Sequence, residues 1–217
     1  MQTQDKHKLV AVRHLTESTY VLQMEKNGFE FEAGQHILLG ADGDLNQREY
    51  SIYSGSNDKY LEVLIKEVDD GDVSRKLKNI PIGEYLQVEG PLGFFSLEEE
   101  KIATHHFLFV SSGTGIAPFH SMVKSHRNLN YPILHGVRYG IEGYEKTDYQ
   151  QDRYIQCTSG DTSGDFSGRV TEYLKKHSID PSTICYFCGN FKMIREAMDI
   201  LDKKGIPHNQ LHAEVYF

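Results

Sequence analysis

The stretch FVSSGTGIAPFHSMV, residues 109–123, decides how the chain is read. Its apolar start suits a buried strand, its middle carries two glycines, and its end suits a helix. A strand-to-helix turn of this kind presents backbone N–H groups and a helix N-terminus that can hold a pyrophosphate, with Gly113 and Gly115 letting the backbone approach closely. Two glycines also serve a plain chain reversal, so this stretch alone leaves both readings open. Around it lie the apolar runs HFLFVSS (106–112), YPILHGV (131–137), RYIQCTS (153–159) and TICYFCG (183–189), consistent with strands buried on both faces. They alternate with segments that suit helices. The clearest helix follows Asn190 as its cap, repeats Met193, Ala197 and Leu201 on one face, and stops at Gly205 before Pro207. Strand then helix, repeated, is the doubly wound parallel-sheet α/β pattern.

Upstream the texture differs. KLVAVRHLT (8–16), STYVLQME (18–25), GQHILLGA (34–41), REYSIYSG (48–55), YLEVLIKEV (60–68) and EYLQVEGP (84–91) are short β-rich runs separated by Gly, Asp and Asn turns. Six of them in so short a span predict a closed, six-stranded antiparallel β-barrel. The charged segment SLEEEKIATH (96–105) marks the change, which predicts two domains, residues 1–98 and 99–217. GIEGYEKTDYQQD (140–152) reads as a loop with a short helix.

Composition narrows the function. Of the 217 residues 39% are hydrophobic and 25% charged, enough for a real core, and no apolar run approaches the ~18 residues of a membrane span. The start, MQTQDKHKLVAV, has no secretory h-region, so a soluble, cytoplasmic protein is expected, and the functional reading given below expects a monomer. Cys157, Cys185 and Cys188 do not form a disulfide framework, and the C-x-x-C of CYFC lacks the second ligand pair that structural zinc needs, so no metal is expected. A net charge of -8 argues against nucleic acid, whose phosphates want a basic face, and against a membrane surface.

Two further stretches carry chemistry. In REYSIYSG, Arg48 is a guanidinium fork suited to phosphate, Tyr50 a flat ring suited to stacking, and Ser51 a hydroxyl. Alternation puts Arg48 and Tyr50 on one face and Ser51 on the other. By themselves they also read as an exposed rim and a core aromatic. In VDDGDVSRKL (68–77) a Gly turn precedes Ser74 at a helix start, a second anion-binding end. The last residue, Phe217, is an aromatic: either LHAEVY is a core strand that Phe217 finishes, or the ring covers something flat.

REYS (48–51), LEVLIKEVDDGDVSRKL (61–77), GPLGFF (90–95), SSGTGIAPF (111–119), CGNFKMIREA (188–197) and AEVYF (213–217) stand in this order, spanning nearly the whole chain. In that order they resemble the ferredoxin-NADP reductase family, most of all its bacterial type. The resemblance implies a barrel domain holding FAD, an α/β domain holding a nicotinamide dinucleotide, and a flavin ring at their junction. Carried over, Arg48 contacts the FAD phosphates, Tyr50 stacks beside the isoalloxazine and Ser51 lies near flavin N5, with Glu49 in the same motif. Leu64 and Ile65 run along the flavin, and Asp72, Val73 and Ser74 contact the diphosphate. Gly113 and Gly115 admit the dinucleotide pyrophosphate, Thr114 lies close to both cofactors, and Gly189 is a further cofactor-binding candidate. Ser51, Cys188 and Glu214 line the nicotinamide site and are the catalytic candidates. Phe217 is implied as a displaceable ring on the flavin face.

Arg138, Ser159 and Arg169 match positions that read the 2'-phosphate in similar bacterial reductases, which favours NADPH. Those relatives also carry an arginine straight after the serine; this chain has Gly160 and Asp161 there. Asp161 suits a free ribose hydroxyl, which keeps NADH open. The implied function is electron transfer between NADPH and ferredoxin or flavodoxin. The alternatives are an NADH-dependent oxygenase component, a free-flavin reductase, or a non-catalytic flavin-binding module.

Overall fold

The computed structural model describes residues 5–68 and 72–216, so the expectations placed on Gly71 and Phe217 lie outside the described residues. In chain order the first strands and helices are β1 Asp5–His14, β2 Thr19–Glu25, β3 His36–Ala41, β4 Arg48–Ser51, β5 Tyr60–Lys66, α1 Asp72–Lys78, β6 Tyr85–Leu92 and α2 Glu99–Ile102. They continue as β7 Phe107–Ser112, α3 Ala117–Ser125, β8 Ile133–Val137, β9 Tyr154–Thr158, β10 Phe166–Ser167, α4 Val170–Lys176, β11 Ile184–Asn190, α5 Phe191–Lys203 and β12 Leu211–Tyr216. The chain forms two compact units. One holds the residues up to Ser96 together with Ala117–Ser125, the other Leu97–Ile116 and the residues from His126 onward. Among the described residues no helix is long and apolar enough to cross a membrane.

The first unit is an antiparallel sheet of six strands in the order β4-β3-β6-β1-β2-β5. It closes where Ile52 bridges Val63 and the Tyr53 N–H donates to the Glu62 carbonyl at 2.7 Å. Alternation sends Leu22, Met24, Ile37, Leu39, Val63, Ile65 and Val88 inward, and Val73 and Leu77 of α1 join the same core. Ser74, expected at the helix start, is the third residue of α1, which begins at Asp72.

Helix α3 follows the glycine turn in sequence, yet it packs with the barrel unit. Its first six residues are buried, and its polar side chains find backbone partners there. Ser121 donates to the Ser54 carbonyl at 2.7 Å, and the Ser56 N–H donates to Ser125 Oγ at 2.8 Å. His120 Nδ1 lies 2.7 Å from the Tyr53 carbonyl, and because a carbonyl only accepts, that nitrogen carries the proton. The His120 ring also stacks on Tyr53, centroids 3.7 Å apart. These bonds anchor the segment that closes the barrel.

The second unit is a parallel sheet in the order β10-β9-β8-β7-β11-β12. Strand order reverses between β7 and β11, which makes their carboxyl ends a topological switch point. On one face Leu108, Val110, Leu134, Cys185 and Phe187 pack with Leu174 of α4 and with Ile194, Ala197, Ile200 and Leu201 of α5. Asn190 caps α5 as expected, accepting from the Lys192 N–H at 3.0 Å. Ile194 holds the buried stripe, and Met193 is half-buried. The C-x-x-C resolves simply: three positions apart on β11, Cys185 joins the helix-side core and Cys188 points to the opposite face. Two-residue β10 was not expected from the sequence; 140–152 contains two short 3-10 turns, at Gly140–Glu142 and Lys146–Asp148.

His120→Phe keeps an aromatic ring against Tyr53 and removes the donor to its carbonyl. It should cost about 1–3 kcal/mol, the penalty of a buried acceptor left unmatched, read as a lower thermal midpoint by circular dichroism. A variant as stable as wild type would mean that the bond does not hold the closure.

Candidate functional site

In the barrel unit the candidate groups line the β4 edge. Register pairs Arg48 with Leu39, Tyr50 with Ile37 and Ser51 with His36. Arg48 is exposed, and its guanidinium donates to the Gln47 carbonyl at 2.9 Å. Tyr50, two residues along the same face, is half-buried against the barrel core. Burial pushes its hydroxyl up to about 12, opposed by the charge of Arg48. Ser51 is buried and alternates to the other face, and Glu49 is exposed. On β5, Ile65 belongs to the barrel core, whereas Leu64 is buried outside it. In α1, Val73 is core, Ser74 Oγ accepts from the Val68 N–H at 3.4 Å, and exposed Asp72 pairs with Lys76 at 2.7 Å. An FAD diphosphate needs a cationic fork and its flavin needs a flat apolar wall. Arg48 and Tyr50 supply both from one strand, so this donor set fits the group.

In the α/β unit the candidate groups gather at the switch point. After β7 the chain makes a tight 3-10 turn, Gly113–Ile116, with Gly113 at φ 54° and open space where a Cβ would stand. Gly115 does something else. A Cβ there would lie 2.7 Å from the Cys188 carbonyl carbon and from Gly189 Cα, and one on Gly189 would lie 2.8 Å from the Ser112 carbonyl oxygen. The two glycines interlock the turn with β11, and the Asn190 N–H donates to Ser112 Oγ at 2.9 Å. Gly113 therefore carries the open conformation and Gly115 the close packing, two roles the sequence joined in one. Thr114, half-buried, lies between them.

Cys188 is fully buried and sits opposite Glu214 on β12. Burial, reinforced by the Glu214 carboxylate, pushes its thiol well up, so it stays a protonated, weakly polar group. Arg138 follows β8, Ser159 follows β9 and Arg169 follows β10, all at the carboxyl end of the sheet and all exposed. The Gly160 N–H donates to the Arg138 carbonyl at 2.7 Å, and the Ser159 N–H to the Val137 carbonyl at 3.1 Å. The Arg138 guanidinium lies over the Tyr139 ring, 5.3 Å from its centroid. Asp161 is already engaged: its carboxylate accepts from the Gly140 N–H at 2.9 Å and from the Ser163 hydroxyl at 2.8 Å. Those bonds, Gly140 first, hold its carboxyl below the usual range. Its first task is to tie two loops together.

Residues 7–97 match the family model described as the oxidoreductase FAD-binding domain. The toluate 1,2-dioxygenase electron transfer component of Pseudomonas putida is 27% identical over 94% of this chain, which spans only 65% of that protein's length. The flavodoxin/ferredoxin-NADP reductase of Buchnera aphidicola is 27% identical over 79% of each chain. Residues 7–97 thus match an FAD-binding oxidoreductase domain, and along its length the chain is similar to ferredoxin-NADP reductase-like FAD-dependent oxidoreductases. A ferredoxin NADP+ reductase from Neisseria gonorrhoeae, solved with bound FAD and NADP, shares the fold over the full length of both chains, with a TM-score of 0.88 at 22% identity.

The sequence did not single out His135. It lies fully buried on β8, between Gly113 and Tyr154. Its Nε2 is 2.8 Å from the Gly113 carbonyl and its Nδ1 is 2.6 Å from the Tyr154 hydroxyl. Nε2 must donate, so Nδ1 accepts from the tyrosine. Burial lowers its pKa from 6.5 to about 4, against the opposite pull of the Gly113 carbonyl and Glu142. Glu142 meanwhile accepts from the Arg138 and Tyr139 N–H groups, both at 2.9 Å. A histidine inside an apolar run reads as core; only the long-range partners reveal its use.

The depressed value has a pH signature. Between 6.5 and about 4 the unfolded chain protonates this histidine while the folded chain does not, so its stabilising share is present above 6.5 and is lost as pH falls. Going from pH 6.5 to 5, His135→Gln should lose about 2 kcal/mol less than wild type, at ~1.4 kcal/mol per pH unit. Urea unfolding at the two pH values checks this, and equal losses would show a histidine that titrates normally.

Proposed function

We propose that this reductase passes electrons between NADPH and a one-electron carrier protein, ferredoxin or flavodoxin, by way of FAD. The observation that carries the choice of nucleotide is the contrast at the carboxyl end of β8 and β9. Arg138 and Arg169 are exposed and, among the described residues, have no carboxylate within ion-pair distance, while the Asp161 carboxylate is bound to Gly140 and Ser163. Two guanidinium forks suit a 2'-phosphate, and a carboxylate already accepting hydrogen bonds suits a ribose hydroxyl less well. The absent third arginine has a local cause. A Cβ on Gly160 would lie 2.7 Å from the Arg138 carbonyl oxygen and 2.9 Å from its Cγ, so this loop conformation leaves no room for one.

FAD, when bound, supplies the conversion between hydride transfer and single-electron steps. The residues of this chain bind and align. Arg48 neutralises the diphosphate, Tyr50 gives the flavin a flat wall, and the N–H groups at the start of α1 add donors. The Gly113–Ile116 turn offers backbone donors to the dinucleotide, and Cys188 and Glu214 mark the nicotinamide end of that site. A protonated Cys188 contributes shape there, without acid–base work. Because hydride transfer needs no proton relay, alignment and exclusion of water are the protein's share. The second reading, an NADH-dependent oxygenase component, draws on the likeness to the dioxygenase electron transfer protein and on Gly160.

Anaerobic titration of the purified holoprotein separates the two. NADPH should bleach the flavin band at a concentration at least tenfold below NADH, and Arg138→Ala with Arg169→Ala should erase that preference. Preference for NADH would overturn the proposal in favour of the oxygenase-type reading. Arg48→Ala should release FAD about tenfold more readily, the loss of one charge-assisted hydrogen bond of ~1.5 kcal/mol or more, seen as flavin in the ultrafiltrate.

A further inference from the structure

We propose that His135 is a positioning residue for the nucleotide-binding turn, pinning the Gly113 carbonyl so that the following N–H faces the ligand side. The proposal rests on reading that turn as the dinucleotide site. Gly113 stands at φ 54° with nothing near its Cβ position, so no side-chain packing holds that residue. The 3-10 turn and the β-branched Thr114 that follows already favour one orientation of this peptide, and the imidazole adds a second hold on it. In a planar trans peptide the carbonyl and the next N–H point in opposite directions. The 2.8 Å bond from His135 Nε2 draws the Gly113 carbonyl toward the buried imidazole, which turns the Thr114 N–H away from it. That bond thus strengthens the orientation in which the turn offers a donor to an anionic ligand.

The rest of the arrangement fixes the donor itself. Tyr154 on β9 donates to Nδ1 at 2.6 Å, which leaves the proton on Nε2, so the chain of bonds runs from Tyr154 on β9 through His135 on β8 to Gly113 in the turn after β7. Tyr149 stacks on Tyr154 at 5.0 Å, and Tyr144 packs at 5.7 Å from the His135 ring, keeping the imidazole in place. An apolar residue here would fill the same space and remove this second hold on the Gly113 peptide.

The test uses the full-length holoprotein with His135→Leu, His135→Gln and Tyr154→Phe. Glutamine carries an N–H donor at a reach similar to Nε2, and leucine carries none. Two readouts are followed: hydrogen exchange of the peptide spanning residues 109–116 without nucleotide, and the KM and kcat for NADPH. Leucine should speed exchange at the turn and raise KM about tenfold with kcat changed less than threefold, while glutamine should restore both to within about threefold. Wild-type exchange and KM in a folded leucine variant, or a glutamine variant as impaired as leucine, would overturn the proposal. If leucine does not fold, Tyr154→Phe decides, because it keeps the ring and loosens only the tautomer: a two- to threefold rise in KM with faster exchange supports the pin, and no change overturns it. If wild type shows no affinity for NADPH, the functional reading fails separately, and the exchange data still decide whether His135 holds the turn.

Discussion

The contact on which the α/β unit depends is backbone against backbone, where the turn after β7 meets the end of β11. Gly115 lies so close to Cys188 and Gly189, and Gly189 so close to Ser112, that neither position has room for a methyl group. This is the point where strand order reverses, and the crevice of such a sheet opens there because the two chains leave in opposite directions. With side chains excluded, the crevice floor is made of peptide groups. Peptide groups are also what an uncharged scaffold can present to a phosphate without introducing fixed positive charge.

The same fifteen-residue stretch serves both units. Its first half is β7 and the glycine turn, which belong to the α/β unit; its second half is α3, which packs with the barrel. The first six residues of α3 are buried, so its polar residues need partners, and the chain supplies them as carbonyls and N–H groups of the segment Tyr53–Ser56. That segment is itself the closing seam of the barrel, running on from β4, the strand that carries Arg48 and Tyr50. Changes in α3 therefore reach the candidate flavin groups through the seam.

Much of this was legible in the sequence, for identifiable reasons. The barrel strands were visible because short β-rich runs alternate with turn residues, and α5 because its cap and its apolar period agree. What escaped depends on partners distant in the chain. Asp161 looked available for a ribose until its bond to Gly140, 21 residues away, was seen. Gly113 and Gly115 looked alike because spacing does not distinguish a residue that needs a left-handed backbone from one that needs no Cβ. His135 looked like core because it is core; its hydrogen-bond partner is a carbonyl 22 residues away. The helix α3 followed the α/β pattern locally, and no local signal tells which unit a helix will pack against.

The electrostatics of the α/β site fit the chemistry proposed for it. Burial holds His135 neutral down to about 4 and keeps the Cys188 thiol protonated far above neutrality, so neither gains or loses a charge across the working range of pH. An acid–base enzyme shifts such groups toward neutrality so that they exchange protons; here burial drives both away from it. Charge that changed with pH beside a nicotinamide would alter its alignment and its affinity without helping a transfer that moves no free proton. The cationic groups, Arg138 and Arg169, are instead exposed at the rim, where a guanidinium remains charged at any such pH, as the proposed recognition of a phosphate requires. A neutral, rigid floor of peptide and imidazole with permanent charge at its edge separates alignment from recognition, so each can vary without disturbing the other.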